Sequence, residues 1–148
     1  MCNKSHLFQK GLLYLHCNLM YLSMARHNTL GKAGEEATKE FFIMKGYTIR
    51  EENWRCGKFE LDLVIEKDGF VVFVEVKTRS NDAIDPTFAI DDKKINNLIN
   101  AGKGYLKMYG INQLSMQIDV VTIVGEPGNF EITHYENAVT PKLLRRRR

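Results

Sequence analysis

The sequence predicts an α/β fold in which one mixed sheet of about five strands is flanked by helices. Two observations carry this. The elements follow in the order helix, three strands, helix, two strands, which suits a single layer of strands covered by helices. At the centre, Asp68-Gly69 separates two runs of alternating apolar residues, among the strongest short signals for a β-hairpin.

Thr29 or Asn28 caps a first helix running to about Lys45, with Glu35 and Glu36 in its early turns, where carboxylates suit the helix dipole. Ala33, Ala37, Phe41 and Met44 fall at helical spacing and form its expected buried stripe, and Gly46 ends it. Tyr47–Trp54 reads as a strand, and Cys56-Gly57 breaks it. The hairpin strands are Phe59–Lys67 and Phe70–Thr78. Arg79–Pro86 is a polar loop. A second helix spans Thr87 or Ile90 to about Tyr109, with Ile95, Leu98, Ile99, Tyr105 and Leu106 inward and Gly110 as its stop. Gln117–Val124 is a strand, Glu126-Pro-Gly-Asn129 a turn, and Phe130–Tyr135 the last strand.

The hairpin carries the chemistry. Alternation sets Glu60, Asp62 and Val64 against Leu61, Leu63 and Ile65, and then Val71, Phe73, Glu75 and Lys77 against Val72, Val74 and Val76. A two-residue loop pairs Lys67 with Phe70, which sets Val64 opposite Phe73, Asp62 opposite Glu75 and Glu60 opposite Lys77. Facing carboxylates repel, so a cation belongs between them. Two hard oxygen ligands suit Mg²⁺ or Mn²⁺, which retain waters and accept phosphate oxygens. Lys77 would complement transition-state charge or position a water. The plainer reading of such a pattern is a solvated strand face with a Glu60–Lys77 ion pair; the opposed acids argue against it.

Composition sets outer bounds. The chain has 148 residues, enough for one domain with a real core. It is 44% hydrophobic and 26% charged, as expected of a globular protein. Net charge is +3, but residues 141–148 hold five basic residues and no acid. This basic tail suits nucleic acid or a solvated end. Cys2, Cys17 and Cys56 are widely spaced, with no zinc-ligand pattern, and suit a reducing cytoplasm. Gly11–Met24 is too short and interrupted for a membrane span, and residues 1–23 read as an extension outside a domain at 24–140.

Glu75-Val76-Lys77 on a strand, with an acid on the neighbouring strand, resembles the PD-(D/E)XK nuclease superfamily. More closely, the chain resembles the YraN-like family of predicted endonucleases, distantly similar to archaeal Holliday junction resolvases. The resemblance covers Met24 to about Thr140. It rests on His27-Asn-Thr-Leu-Gly-Lys-Ala-Gly-Glu35, Asn53-Trp-Arg55, Glu60-Leu-Asp62-Leu and Phe73-Val-Glu-Val-Lys-Thr-Arg79. Lys94, Ala101, Tyr105-Leu106, Ile118-Asp-Val-Val121, His134 and Asn137-Ala138 extend it. Phe59 and Gln117-Ile118-Asp119 depart from the pattern of many relatives, which bears on substrate contacts.

The resemblance implies a restriction-endonuclease-like core and Mg²⁺- or Mn²⁺-dependent hydrolysis of DNA phosphodiesters, with branched or processed DNA as a candidate substrate. Asp62, Glu75 and the Val76 carbonyl would bind metal, Lys77 would hold or activate the water, and Glu35 would reach the site from the first helix. Junction-cutting relatives act as dimers, so a homodimer is one assembly to expect. The alternative is a non-catalytic nucleic-acid-binding or recombination accessory protein of the same fold.

Further contacts follow from position. Arg55, Thr78 and Arg79 flank the candidate site and are placed to meet phosphates. Lys94, beside Lys93 at the second helix's start, could meet a phosphate or lie on an exposed helix face. Trp54 is a stacking candidate but more in keeping with packing, and His134 more in keeping with a structural hydrogen bond than with a general base.

Overall fold

The computed structural model describes residues 29–79 and 91–139. Helix α1 (residues 29–44) leads into strands β1 (Thr48–Cys56), β2 (Phe59–Lys67) and β3 (Phe70–Arg79). Helix α2 (Asp92–Met108) and strands β4 (Gln117–Glu126) and β5 (Asn129–Tyr135) complete the order. The expectations for the N-terminal extension, the polar loop, the basic tail and any start of α2 before Asp91 fall outside the described residues.

The strands lie in sequence order in one sheet, antiparallel at each step except β3–β4, which is parallel. Parallel neighbours require a crossover connection, and α2 belongs to it. This is the mixed five-stranded α/β arrangement expected of a restriction-endonuclease-like core. Among the described residues, no helix is long and apolar enough to cross a membrane.

Each sheet face has its own core. Leu61, Val64, Val71, Phe73, Ile118 and Val120 pack with Ile95, Leu98, Ile99, Ala101 and Tyr105 of α2. On the other face, Leu63, Ile65, Val72, Val74, Val121 and Ile123 surround Phe42 of α1. Trp54 is buried in the α2 core, its ring edge-to-face with Tyr105 at 5.4 Å between centroids, so it packs rather than offering a stacking surface.

Helix α1 buries a different stripe from the expected one. Gly34, Thr38 and Phe42 face the sheet, while Met44 is 81% exposed. Gly34 is chosen by space: a Cβ there would lie 3.0 Å from Thr78 Cγ2 and 3.1 Å from Thr78 Cβ, so the helix rests directly on β3. Thr38 can be buried because its hydroxyl donates to Gly34 O at 2.8 Å. An apolar stripe cannot reveal a face made of glycine and threonine.

Asp91 caps α2, its carboxylate accepting from Lys94 N at 2.7 Å, which fixes the helix start at Asp92. The far end is as expected. Gly110, at φ +63°, closes a Schellman turn in which Gly110 N donates to Lys107 O and Ile111 N to Leu106 O.

The hairpin register is as counted from the turn, with Lys67 opposite Phe70 and Val64 opposite Phe73. The ladder, however, runs only as far as Leu63–Val74, so Asp62 and Glu75 are not a cross-strand pair. The alternation of β2 also breaks. Leu61 lies in the α2 core and Leu63 in the α1 core, although they are two residues apart. In β1, Asn53 adopts φ +48° between the pairs Glu52–Leu63 and Trp54–Leu61. Asn53 and Asp62 together absorb the change of face. The expected grouping of Leu61 with Leu63 and Ile65 is therefore corrected, and the irregularity falls at the candidate site.

Candidate active site

β3 positions two of the predicted groups by simple period. Glu75 and Lys77 lie on the α2 face with Phe73, and Lys77 Nζ is 2.6 Å from Glu75 Oε1. Glu75 is only 1% exposed. β2 supplies the third group by leaving the regular ladder. Asp62 Oδ2 accepts a hydrogen bond from Val76 N at 2.8 Å, so the carboxyl reaches across to β3 and pairs a backbone donor there. The Glu60–Lys77 ion pair of the plainer reading is not formed; Arg55 pairs with Glu60 and Lys77 with Glu75 instead.

Helix α2 adds a group whose expected place was a DNA phosphate or the helix surface. Lys94 Nζ lies 3.0 Å from Glu75 Oε2. The approach is one of charge rather than of a directed proton, because Glu75 Oε2 is buried without a hydrogen bond. Burial works against the Lys94 ammonium, but the charge and contact of Glu75, with Asp62 and Glu60 adding to them, hold its pKa above the ordinary value. The Asp62 pKa is raised as well, against the pull of Lys94. Burial foremost, and then the charge of Glu75, raise its carboxyl to about 7, against the opposing pull of the Val76 N–H, Lys94 and Lys77.

The remaining predicted residues are distributed around this centre. Glu35 Oε2 accepts from Asn53 Nδ2 at 3.2 Å, which ties α1 to the irregular step of β1. It does not join Asp62 and Glu75 as a third ligand: among the described residues, no three His, Cys, Asp or Glu side chains form a metal-holding group. Arg55 pairs with Glu60 in the open, Nη2 to Oε1 at 2.8 Å. Thr78 packs under Gly34, and Arg79 ends β3 beside Val124 of β4.

A cation fits the donor set. Glu75 Oε2 is a buried anionic oxygen without a hydrogen bond, Asp62 is a second carboxyl beside it, and Mg²⁺ needs only one or two protein carboxylates. The arrangement can gather positive charge around a phosphodiester.

The model of the uncharacterised protein family UPF0102 matches residues 34–123, which include every candidate named above for catalysis or metal. The chain belongs to the UPF0102 family. It is similar to a UPF0102 protein of Bacteroides thetaiotaomicron, 46% identical over 122 residues, covering 82% of this chain and 100% of that one. A UPF0102 protein of Phocaeicola vulgatus is 43% identical over 121 residues, 81% of this chain and 99% of its own. One from Syntrophomonas wolfei is 43% identical over 110 residues, 74% and 96% of the two chains. The YraN-like resemblance thus holds at the level of the family.

This UPF0102 chain has a second buried polar centre that the sequence reading missed. Asp119, 1% exposed on β4, accepts from His134 Nε2 at 2.7 Å, Gln117 Nε2 at 2.9 Å and Asn137 N at 2.8 Å. His134 lies on the α1 side, edge-on to Phe42 at 5.0 Å between ring centroids. Its hydrogen bond agrees with the structural reading of that histidine. An acid within the apolar run Gln117–Val124 was the available signal.

A stability prediction follows from Asp62. Between pH 4 and 7 the unfolded chain releases the Asp62 proton while the folded chain keeps it, so this group makes the metal-free protein less stable as pH rises through that window. Asp62→Asn retains an acceptor for Val76 N and removes the titration. The variant is expected to exceed wild type by roughly 4 kcal/mol at pH 8 in metal-free buffer, with no advantage near pH 4. Denaturant titrations at both pH values measure this, and a constant difference between the proteins would contradict it.

Proposed function

We propose that this protein is a divalent-metal-dependent endonuclease that hydrolyses DNA phosphodiester bonds, with branched or processed DNA as its substrate class. The observation that carries the reading is Glu75, an almost fully buried carboxylate with one oxygen free of hydrogen bonds, set beside a second carboxyl that burial and repulsion hold near neutrality. Isolated buried charge is costly, and perturbed carboxyl pairs concentrate at functional sites.

Asp62 and Glu75, helped by the Val76 carbonyl, would hold Mg²⁺ or Mn²⁺. Such an ion supplies Lewis-acid stabilisation of a phosphoryl group and a more reactive bound water. Lys77, fixed to Glu75 Oε1, donates to the water or to a phosphoryl oxygen as negative charge builds there. Glu35 acts at one remove as a positioning residue, through Asn53 at the step beside Asp62. Arg55, Thr78 and Arg79 belong to the proposed contact with the DNA backbone. A cytoplasmic setting and a homodimer on a two-fold substrate are part of the same proposal.

The test is a cleavage panel with the full chain. Linear, nicked, flapped and four-way-junction DNA, with matched RNA, are offered with Mg²⁺, Mn²⁺ or EDTA. Cleavage is expected with either ion and not with EDTA, and Lys77→Ala is expected to lower it about 100-fold or more. Absence of cleavage on every substrate, with DNA binding that falls with salt and ignores EDTA, would favour the non-catalytic accessory role instead.

A further inference from the structure

We propose that Lys94 is an exchangeable counter-ion that occupies the cation's place on Glu75, so that a divalent ion binds by displacing it. The inference rests on the reading of Asp62 and Glu75 as a metal site, and it concerns how that site is kept before metal arrives.

A carboxylate as buried as Glu75 must be neutralised by something. Two lysines do so, one on each oxygen, and they are held differently. Lys77 is two residues along the same strand, bound to Oε1 at 2.6 Å, and moves with Glu75. Lys94 reaches in from the first turn of α2, a separate element, on a flexible four-carbon stem. It meets Oε2 at 3.0 Å without a directed hydrogen bond and keeps about a third of its side chain exposed. Oε2 is the oxygen a cation would take, and Lys94 is the group already against it.

Adding a divalent ion would crowd it and two ammonium groups around two carboxyls. The ammonium that reaches in from a separate element, at the longer distance, is the one free to move, outward to water or onto an arriving phosphodiester. The metal-free site is thereby a closed ion pair rather than an open anionic trap.

Removing the Lys94 charge should therefore strengthen metal binding, the opposite of what losing a structural contact would do. Isothermal titration of the full chain with Mn²⁺, in the absence of nucleic acid, reads this directly. Lys94→Met is expected to bind Mn²⁺ at least about tenfold more tightly than wild type. Lys94→Gln, neutral and polar, is titrated beside it so that the test stands if the methionine variant is unstable, and the same gain is expected. Lys94→Arg, which keeps the charge, is expected to remain within about threefold of wild type. Unchanged or weaker binding in the neutral variants, or an equal gain in Lys94→Arg, would overturn the exchange. Failure of wild type and neutral variants alike to bind Mn²⁺ would instead defeat the metal site itself, a distinct result.

Discussion

Glu75→Gln is expected to lower Mg²⁺-dependent DNA cleavage about 1,000-fold while leaving the protein folded. Glutamine has almost the shape of glutamate, so the tight space on the α2 face is filled as before, and its carbonyl oxygen can still accept from Lys77. What disappears is the buried negative charge, which is the group's whole claim to a dication. Lys77 and Lys94 are each about one-third exposed, so both can turn to water once Glu75 is neutral. Asp62 loses the like-charge neighbour that helps raise it, and its carboxyl should ionise more readily. One carboxyl, still raised by burial, then remains, too little to hold the ion or the water. Single-turnover cleavage and Mn²⁺ titration of the same preparation measure both consequences. Activity within tenfold of wild type would remove Glu75 from the proposed chemistry.

Asp119→Ala is expected to destabilise the fold by about 3–5 kcal/mol, with an effect on cleavage only through loss of folded protein. Three donors converge on this carboxylate: the His134 ring, the Gln117 amide and the Asn137 backbone N–H. Alanine leaves them without their acceptor around a nearly sealed site, and the penalty of an unpaired buried group falls several times over. The Asn137 contact also secures the segment after β5, where Val139 N donates to Ile118 O and Val139 joins the α2 core. Both sheet faces should therefore feel the loss. Asp119→Asn separates charge from geometry. Its oxygen can serve Asn137 and Gln117, while His134 can meet the new amide by changing tautomer, at the cost of the Lys45 contact to Nδ1. A much smaller loss is expected for Asn than for Ala. Urea unfolding of the three proteins decides it, and a shift below about 1 kcal/mol for alanine would show the cluster to be dispensable.

The two centres differ in how they could be read beforehand. Glu75 and Lys77 were accessible because period two is a property of any strand, and because Asp68-Gly69 pins the hairpin count. The same count drew attention to Asp62 but gave it the wrong partner. Counting placed it across the ladder from Glu75, whereas its carboxyl accepts the Val76 N–H. Perfect alternation was the assumption that failed, since Asn53 at positive φ and Asp62 change face together. The stripe of α1 failed for another reason. Its tightest contacts use Gly34 and Thr38, chosen for closeness to Thr78 rather than for hydrophobicity.

The chain by itself determined the succession of helices and strands, the turn at Asp68-Gly69, the C-terminal stop of α2 and the shared face of Glu75 and Lys77. Each follows from backbone preferences and side-chain periods that act over a few neighbouring residues. Only the tertiary structure decided that Lys94 closes against Glu75, that Asp62 bonds to β3, and that Asp119 gathers His134 and Asn137. Those choices join groups from separate elements, and they are made by the need to neutralise charge and pair polar groups where water has been excluded.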